Sequence, residues 1–299
     1  MRLIRLLPLL SALTLATQAS AQRPVDRRMQ LDADGSVRIS NLVGSVRVTG
    51  WDKDSLIIRG TVAKGDQFFA GGGHSGAKGF VEAADQRNPG PSHLEVLVPR
   101  RAKVWIKTAT ADITVSGVQG QLDLYVVGGT IRVTGNPSEL NAEAIDGDIE
   151  VNGSPAWLRA KSASGNVTLK GTSRDMTLSS VTGGISVTGG RFERAKLETV
   201  AGAVRFAGDV EPAGTLDIDT HSGAVDLAFP PKASADLEIV TIAGGIKNSL
   251  SSRRPVPGRY GRGSELTGSI GNGGARVSVR TFKGMITLRE NPVAISSKK

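Results

Sequence analysis

The sequence has no cysteine, few aromatic residues and, beyond residue 21, no apolar run long enough to cross a membrane. The first absence removes disulfide scaffolds, thiolate nucleophiles and cysteine metal sites together. The second, with aromatics at 4%, means that burial rests on aliphatic side chains rather than large rings. The third leaves residues 1–21 as the one membrane-directed segment. There Arg2 and Arg5 precede an apolar run, and Ala19, Ser20 and Ala21 offer small residues for cleavage, which is the pattern of a secretory signal peptide. No cysteine follows the cleavage site, so a bacterial-type lipid anchor is excluded. The expectation is an exported chain, periplasmic or secreted to the cell surface, with no transmembrane segment once the signal is removed.

Helical periodicity is missing too, and with it the strand-to-helix turn that a G-x-S-x-G nucleophile needs. The three histidines, His74, His93 and His221, stand in no metal-ligand spacing such as H-E-x-x-H. The glycine-rich stretch 71–79 lacks the Gly-Lys-Ser/Thr ending of a phosphate loop, and the nine-residue calcium repeat is absent. The expectation is a protein with no cofactor, no metal and no catalytic residues.

What is present is glycine, 38 of them, at fixed places in a repeat. The stretch 140–151 (LNAEAIDGDIEV) shows the unit. With Leu140 as position 0, apolar residues stand at 0, +2, +9 and +11, a small one at +4, an apolar one at +5 and glycine at +7. Two short runs of strand-like alternation thus flank a glycine corner. The pattern starts again at Val37, Val104, Leu122, Leu158, Met176, Ala195, Leu216, Leu237 and Val277. Position +9 is always Ile or Val, and position +7 is glycine except at Ala111. From Ile113 the +9 residues recur every 18 and then 19 to 21 residues, until a final gap of 40. Insertions never fall between 0 and +9, so one corner is fixed while the opposite edge accepts loops.

A meander of hairpins would demand Asn-Gly or Asp-Gly at each corner, which Asp146-Gly147 alone supplies. The same residue class at the same position instead predicts an all-β parallel β-solenoid. It would have about ten two-strand coils of 18–21 residues, stacked about 4.8 Å apart around a dry Ile, Val, Leu and Ala interior too narrow for a lumen. The solenoid is expected over 35–290, after an N-terminal linker at 22–34 and before a tail at 291–299. Strands are expected at 56–62 and 94–98. Long insertions stand at 64–92 and 249–274, and the ladder is expected to fray beside the second, where Asn248 is the one polar residue at +11.

These residues carry a resemblance. The opening VRISNLVGSVRVTGWDKDSLIIRGTV, the LEVLVP strand, the serial [ST]-x-x-G-x-[IV]-x-V units and the ending GGARVSVRTFKGMITL resemble the DUF4097 family of bacterial exported proteins, labelled as adhesins. The resemblance covers 31–290 and implies a β-helix-like solenoid at the bacterial envelope. It carries no catalytic residue pattern.

The formal charge is +9 and falls by two when Arg2 and Arg5 leave with the signal. Such a balance draws a chain toward anionic partners without naming one. The expected partner is an envelope macromolecule, whether glycan, anionic lipid or protein, and no nucleic acid. Two features are candidates for binding. Trp105 and Tyr125 project outward from neighbouring units and offer a small stacking platform for a sugar ring. Arg253, Arg254, Arg259 and Arg262 in the second insertion offer contacts for phosphate or uronate groups. The alternatives are an anion-binding module acting through that loop, and a polysaccharide-active enzyme using the acids Asp146, Asp148 and Glu150 or Asp217, Asp219 and Asp226. Against the enzyme, Asp112 and Asp148 share the +8 column two coils apart, roughly 10 Å, beyond the usual glycosidase separation. His221 at +5 reads as a stacked corner imidazole.

Overall fold

The computed structural model describes residues 22–258 and 261–291. The expected signal peptide, Arg259 and residues 292–299 of the tail lie outside them.

Equivalent positions of successive units pair in parallel and in register. Leu122, Leu140, Leu158 and Met176 stand on one another in one ladder, and Ile131, Ile149, Val167 and Ile185 in the other. The first strands of all units make one sheet and the second strands another, and positions 0, +2, +9 and +11 point between them. The fold is therefore a β-solenoid. Within the stacked units its core is aliphatic except where the period lengthens. There Phe192, Phe206 and Phe229, all buried, pack as tilted rings with centroids 5.5 and 6.0 Å apart. Longer units enclose a wider section, and rings fill it. Phe68 of the hairpin in 64–92 is a further buried ring.

The glycine corner is a steric requirement. A Cβ added at Gly147, Gly183, Gly202 or Gly223 would lie 1.8–2.0 Å from the carbonyl oxygen of the corner glycine one coil below. None of these four has a positive φ, so close stacking, not backbone conformation, selects glycine. Ala111 is accommodated between Gly44 and Gly129, whose φ of 109° and 121° give that corner a different path.

Position +4 supports the corner from inside. The Ser180 hydroxyl donates to the Gly165 carbonyl at 3.0 Å and accepts from the Gly183 amide at 3.0 Å, and Ser162 and Thr199 repeat the arrangement. Thr220 at the same position is buried with its hydroxyl unpartnered. Ser180→Ala is therefore expected to cost about 1–2 kcal/mol, while Thr220→Val, which removes an unsatisfied hydroxyl at constant shape, is expected to be neutral or stabilising. Thermal melts of the two variants check this, and equal losses would refute it.

Both ends depart from the sequence expectation. The supposed linker 22–34 holds the strand Arg23–Gln30, antiparallel to Ser55–Val62, which in turn runs antiparallel to Ser92–Pro99. Only Val25 in this strand is buried, so backbone pairing forms it and leaves little hydrophobic signature. Its exposed Arg and Asp side chains discourage further pairing at the edge. The insertion 64–92 contains the hairpin Gln67–Gly73 and Gly76–Glu82, whose second strand pairs in parallel with the first unit. The insertion 249–274 supplies Ser264–Ile270, antiparallel to Ala235–Thr241. The ladder does not fray at Asn248, which stays in register with Leu288. Its amide donates to the Arg253 carbonyl and the Ser251 hydroxyl, both at 2.9 Å, so the polar residue anchors the insertion.

Coil order in space is not coil order in sequence. Val277 pairs with Leu216 on one side and Leu237 on the other, and Ile286 lies between Val225 and Ile246. The last unit is thus wedged between the two that precede it.

Candidate functional site

Along the outer face of the first sheet, the +1 side chains of five successive coils form the ladder Arg38, Trp105, Asp123, Asn141, Arg159. Beside it runs the −1 column with Lys103, Gln121 and Glu139. Together they line a groove of about 690 Å³. Within it Asn141 donates to Asp123 at 3.3 Å and Gln121 to Glu139 at 3.2 Å. These amide–carboxylate pairs hold their polar atoms in place beside the half-buried indole. Arg38, Lys103 and Arg159 are exposed and have no ion-pair partner among the described residues.

Trp105 and Tyr125 stand on neighbouring coils two positions apart along the strand. Trp105 faces Asp123 in the register, and Tyr125 faces Lys107, whose ammonium lies 5.4 Å from the phenol ring centroid. The rings stand at +1 and +3, in separate columns, because the parallel register aligns like positions. An exposed aromatic stack stands in the hairpin that the sequence presented as a loop. Phe69 and Phe80 lie 5.1 Å apart, Phe80 opposite Ser40.

The acids are engaged structurally. Asp112 and Asp148 are two coils apart, with Thr130 between them, and each accepts the backbone N–H of the next coil, from Thr130 at 2.8 Å and Asn166 at 2.7 Å. Asp146 accepts from the Ser164 hydroxyl at 2.6 Å, Glu150 pairs with Arg132 at 3.3 Å, and Asp226 is gripped by both guanidinium arms of Arg289. Glu198 first, then Asp219 and Asp217, hold the Lys196 ammonium charged above its ordinary pKa.

Three of the four arginines of the basic insertion, Arg253, Arg254 and Arg262, are among the described residues, and all three are exposed. The Arg253 guanidinium lies against the backbone at Gly268, and Arg254 and Arg262 flank the short strand Val256–Pro257 in sequence.

One further column stands out. The +5 side chains, apolar in nine units, face solvent at the glycine corner. Val127, Ile145, Val181, Val200, Ile242 and Phe282 are 42–53% exposed. His221 stacks on Phe282, centroids 4.9 Å apart and planes 1° from parallel. Between this ridge and the +3 column runs a mostly apolar groove of about 580 Å³. The sequence showed the column, but not that it lies outside.

A search of curated proteins returned no match. Among solved structures the chain is similar to a candidate cell adhesion protein from Clostridium sporogenes, at 7% identity over 90% of this chain and 100% of that one, with TM-score 0.30. It is also similar to a candidate adhesin from Bacteroides fragilis, at 12% identity over 91% and 99%, with TM-score 0.46. A third is a candidate lipid-binding protein from Parabacteroides distasonis, at 11% identity over 90% and 96%, with TM-score 0.41. The family model described as Toastrack DUF4097 matches residues 18–289, and the chain belongs to this family.

Proposed function

We propose that the chain is an exported, non-enzymatic binding scaffold of the cell envelope that lays an extended anionic glycan along the Trp105 groove. The observation that carries the reading is the +1 ladder. An indole and two fixed amide–carboxylate pairs stand between two unpaired guanidiniums, Arg38 and Arg159, four coils or about 19 Å apart. A sugar ring offers an apolar face for an indole and hydroxyls for amides and carboxylates. Uronate groups suit the guanidiniums. Acids tied into the corners as caps leave the non-enzymatic role as the simpler reading, and the residues of 1–21 support export.

The test is calorimetric titration of residues 22–299 with uronate-bearing and neutral oligosaccharides. Trp105→Ala is expected to weaken binding about tenfold, equivalent to about 1.4 kcal/mol. Arg38→Ala with Arg159→Ala is expected to flatten its salt dependence. Unchanged affinity in Trp105→Ala, or shortening of the glycan during incubation, would overturn the proposal.

A further inference from the structure

The exposed +5 ridge is an interaction surface independent of the Trp105 groove. It is rigid, because each corner backbone bonds to the next: Ser164 N–H to the Ile145 carbonyl, Ala201 to Val181, Ser222 to Val200 and Ala243 to Phe282. A continuous apolar strip of this kind on a protein surface marks a contact site.

The flanking columns point to the occupant. At +3 stand Lys107, Glu143, Lys161, Glu198, Asp219 and Arg280, and at +6 stand Asp146 and Lys283. Four acids balance four cations, which gives an anionic membrane no net attraction. The order of the signs is informative. A two-fold axis across the solenoid, between the Met176 and Ala195 coils, lays one copy antiparallel on another with like columns facing. Glu143 then meets Arg280, Lys161 meets Asp219 and, on the other flank, Asp146 meets Lys283. On the ridge Val181 meets Val200, Ile145 meets Phe282, and the small Ala163 meets the large His221. Shifting the register by one coil sets Glu143 on Asp219 in one direction, although Lys161 then meets Glu198. In the other it sets Lys161 on Arg280 and Glu198 on its own copy. Like charges face each other in both neighbouring registers, so one register is singled out.

We infer that the chain forms an antiparallel two-fold dimer through the +5 ridge, in the register that sets Val181 against Val200. A self-complementary patch of this kind is what a two-fold interface requires. The contact spans about eight coils and covers on the order of 1,000 Å² in total, the lower end of specific interfaces. Dissociation in the micromolar range is therefore expected.

Sedimentation of residues 22–299 across that concentration range tests the dimer. Val181→Asp, a change at an exposed site, is expected to leave the melting temperature near native and the chain monomeric. Covalent trapping tests the register. Because the chain lacks cysteine, Ile145→Cys with Phe282→Cys supplies the only thiols. Within one copy these lie five coils, about 24 Å, apart and cannot join. Mild oxidation is expected to give a cross-linked dimer from the double variant and none from either single variant. A wild-type chain monomeric throughout overturns the proposal, even if it binds neutral lipid vesicles through Val181. A dimer that the double variant fails to trap overturns the register.

Discussion

Ile149→Asp is expected to leave the chain with no cooperative melting transition at neutral pH. Ile149 is fully buried midway along the stack, between Ile131 and Val167. Losing the aliphatic side chain costs about 2–5 kcal/mol by analogy with truncation to alanine. The carboxyl group finds no donor in that interior, and burying it unpaired costs several kcal/mol more whether it ionises or takes up a proton. Together these approach the entire stability of an ordinary domain, roughly 5–15 kcal/mol. In a stack each coil contacts only its neighbours, so a central defect also separates the two halves. The control is Ile149→Val, expected to cost about 0.5–1.5 kcal/mol. Circular dichroism melts of both variants decide. A native melting temperature for Ile149→Asp would mean that +9 does not point inward.

Gly202→Ala is the second large effect. Its Cβ would stand 1.8 Å from the Gly183 carbonyl oxygen and 2.9 Å from the Thr199 hydroxyl. Ordinary contact begins near 3.4 Å, so two coils would have to part by more than 1 Å where backbone bonds tie them together. Overpacking in a compliant core costs about 1–3 kcal/mol. Here the obstacle is backbone, so a loss at or above that range is expected. Gly71→Ala, where an added Cβ meets nothing within 4 Å, is the control and should be silent. Chemical denaturation measures both. Equal stability of the two variants would mean that the corner glycines serve something other than close stacking.

The repeat was legible because its periods are physical. Alternation at 0 and +2, and again at +9 and +11, marks strands with one buried face, and a glycine at the same offset in every unit but one marks a corner with little room for Cβ. The cap strands were not legible for the opposite reason. Arg23–Gln30 is held by backbone pairing, which leaves little side-chain pattern, and the hairpin around His74 buries only the side chains of Phe68, Ala77 and Val81 among many glycines. The position of Val277 in the stack was hidden by the regularity itself, since a Val277 unit suits the Leu216 edge as well as the Leu237 edge. At the candidate site Trp105 was found, but its partners were not. Arg38, Asp123, Asn141 and Arg159 join it only once like positions are aligned, and that same alignment separates it from Tyr125.

The placement of residues 275–290 between the Leu216 and Leu237 coils bears on how the chain is made. Synthesis delivers residues 235–248 before 275–290, and folding generally proceeds from the N-terminal side as the chain emerges. The Leu237 unit matches the exposed Leu216 edge in pattern, so pairing there too early would build a stack with no slot for the Val277 unit. Productive assembly keeps that edge vacant, or first joins 235–248 to 275–290 as a block that docks whole. Either way, maturation waits for residues 275–290 to arrive, and a pause in synthesis just ahead of them is when the chain is most open to mispairing.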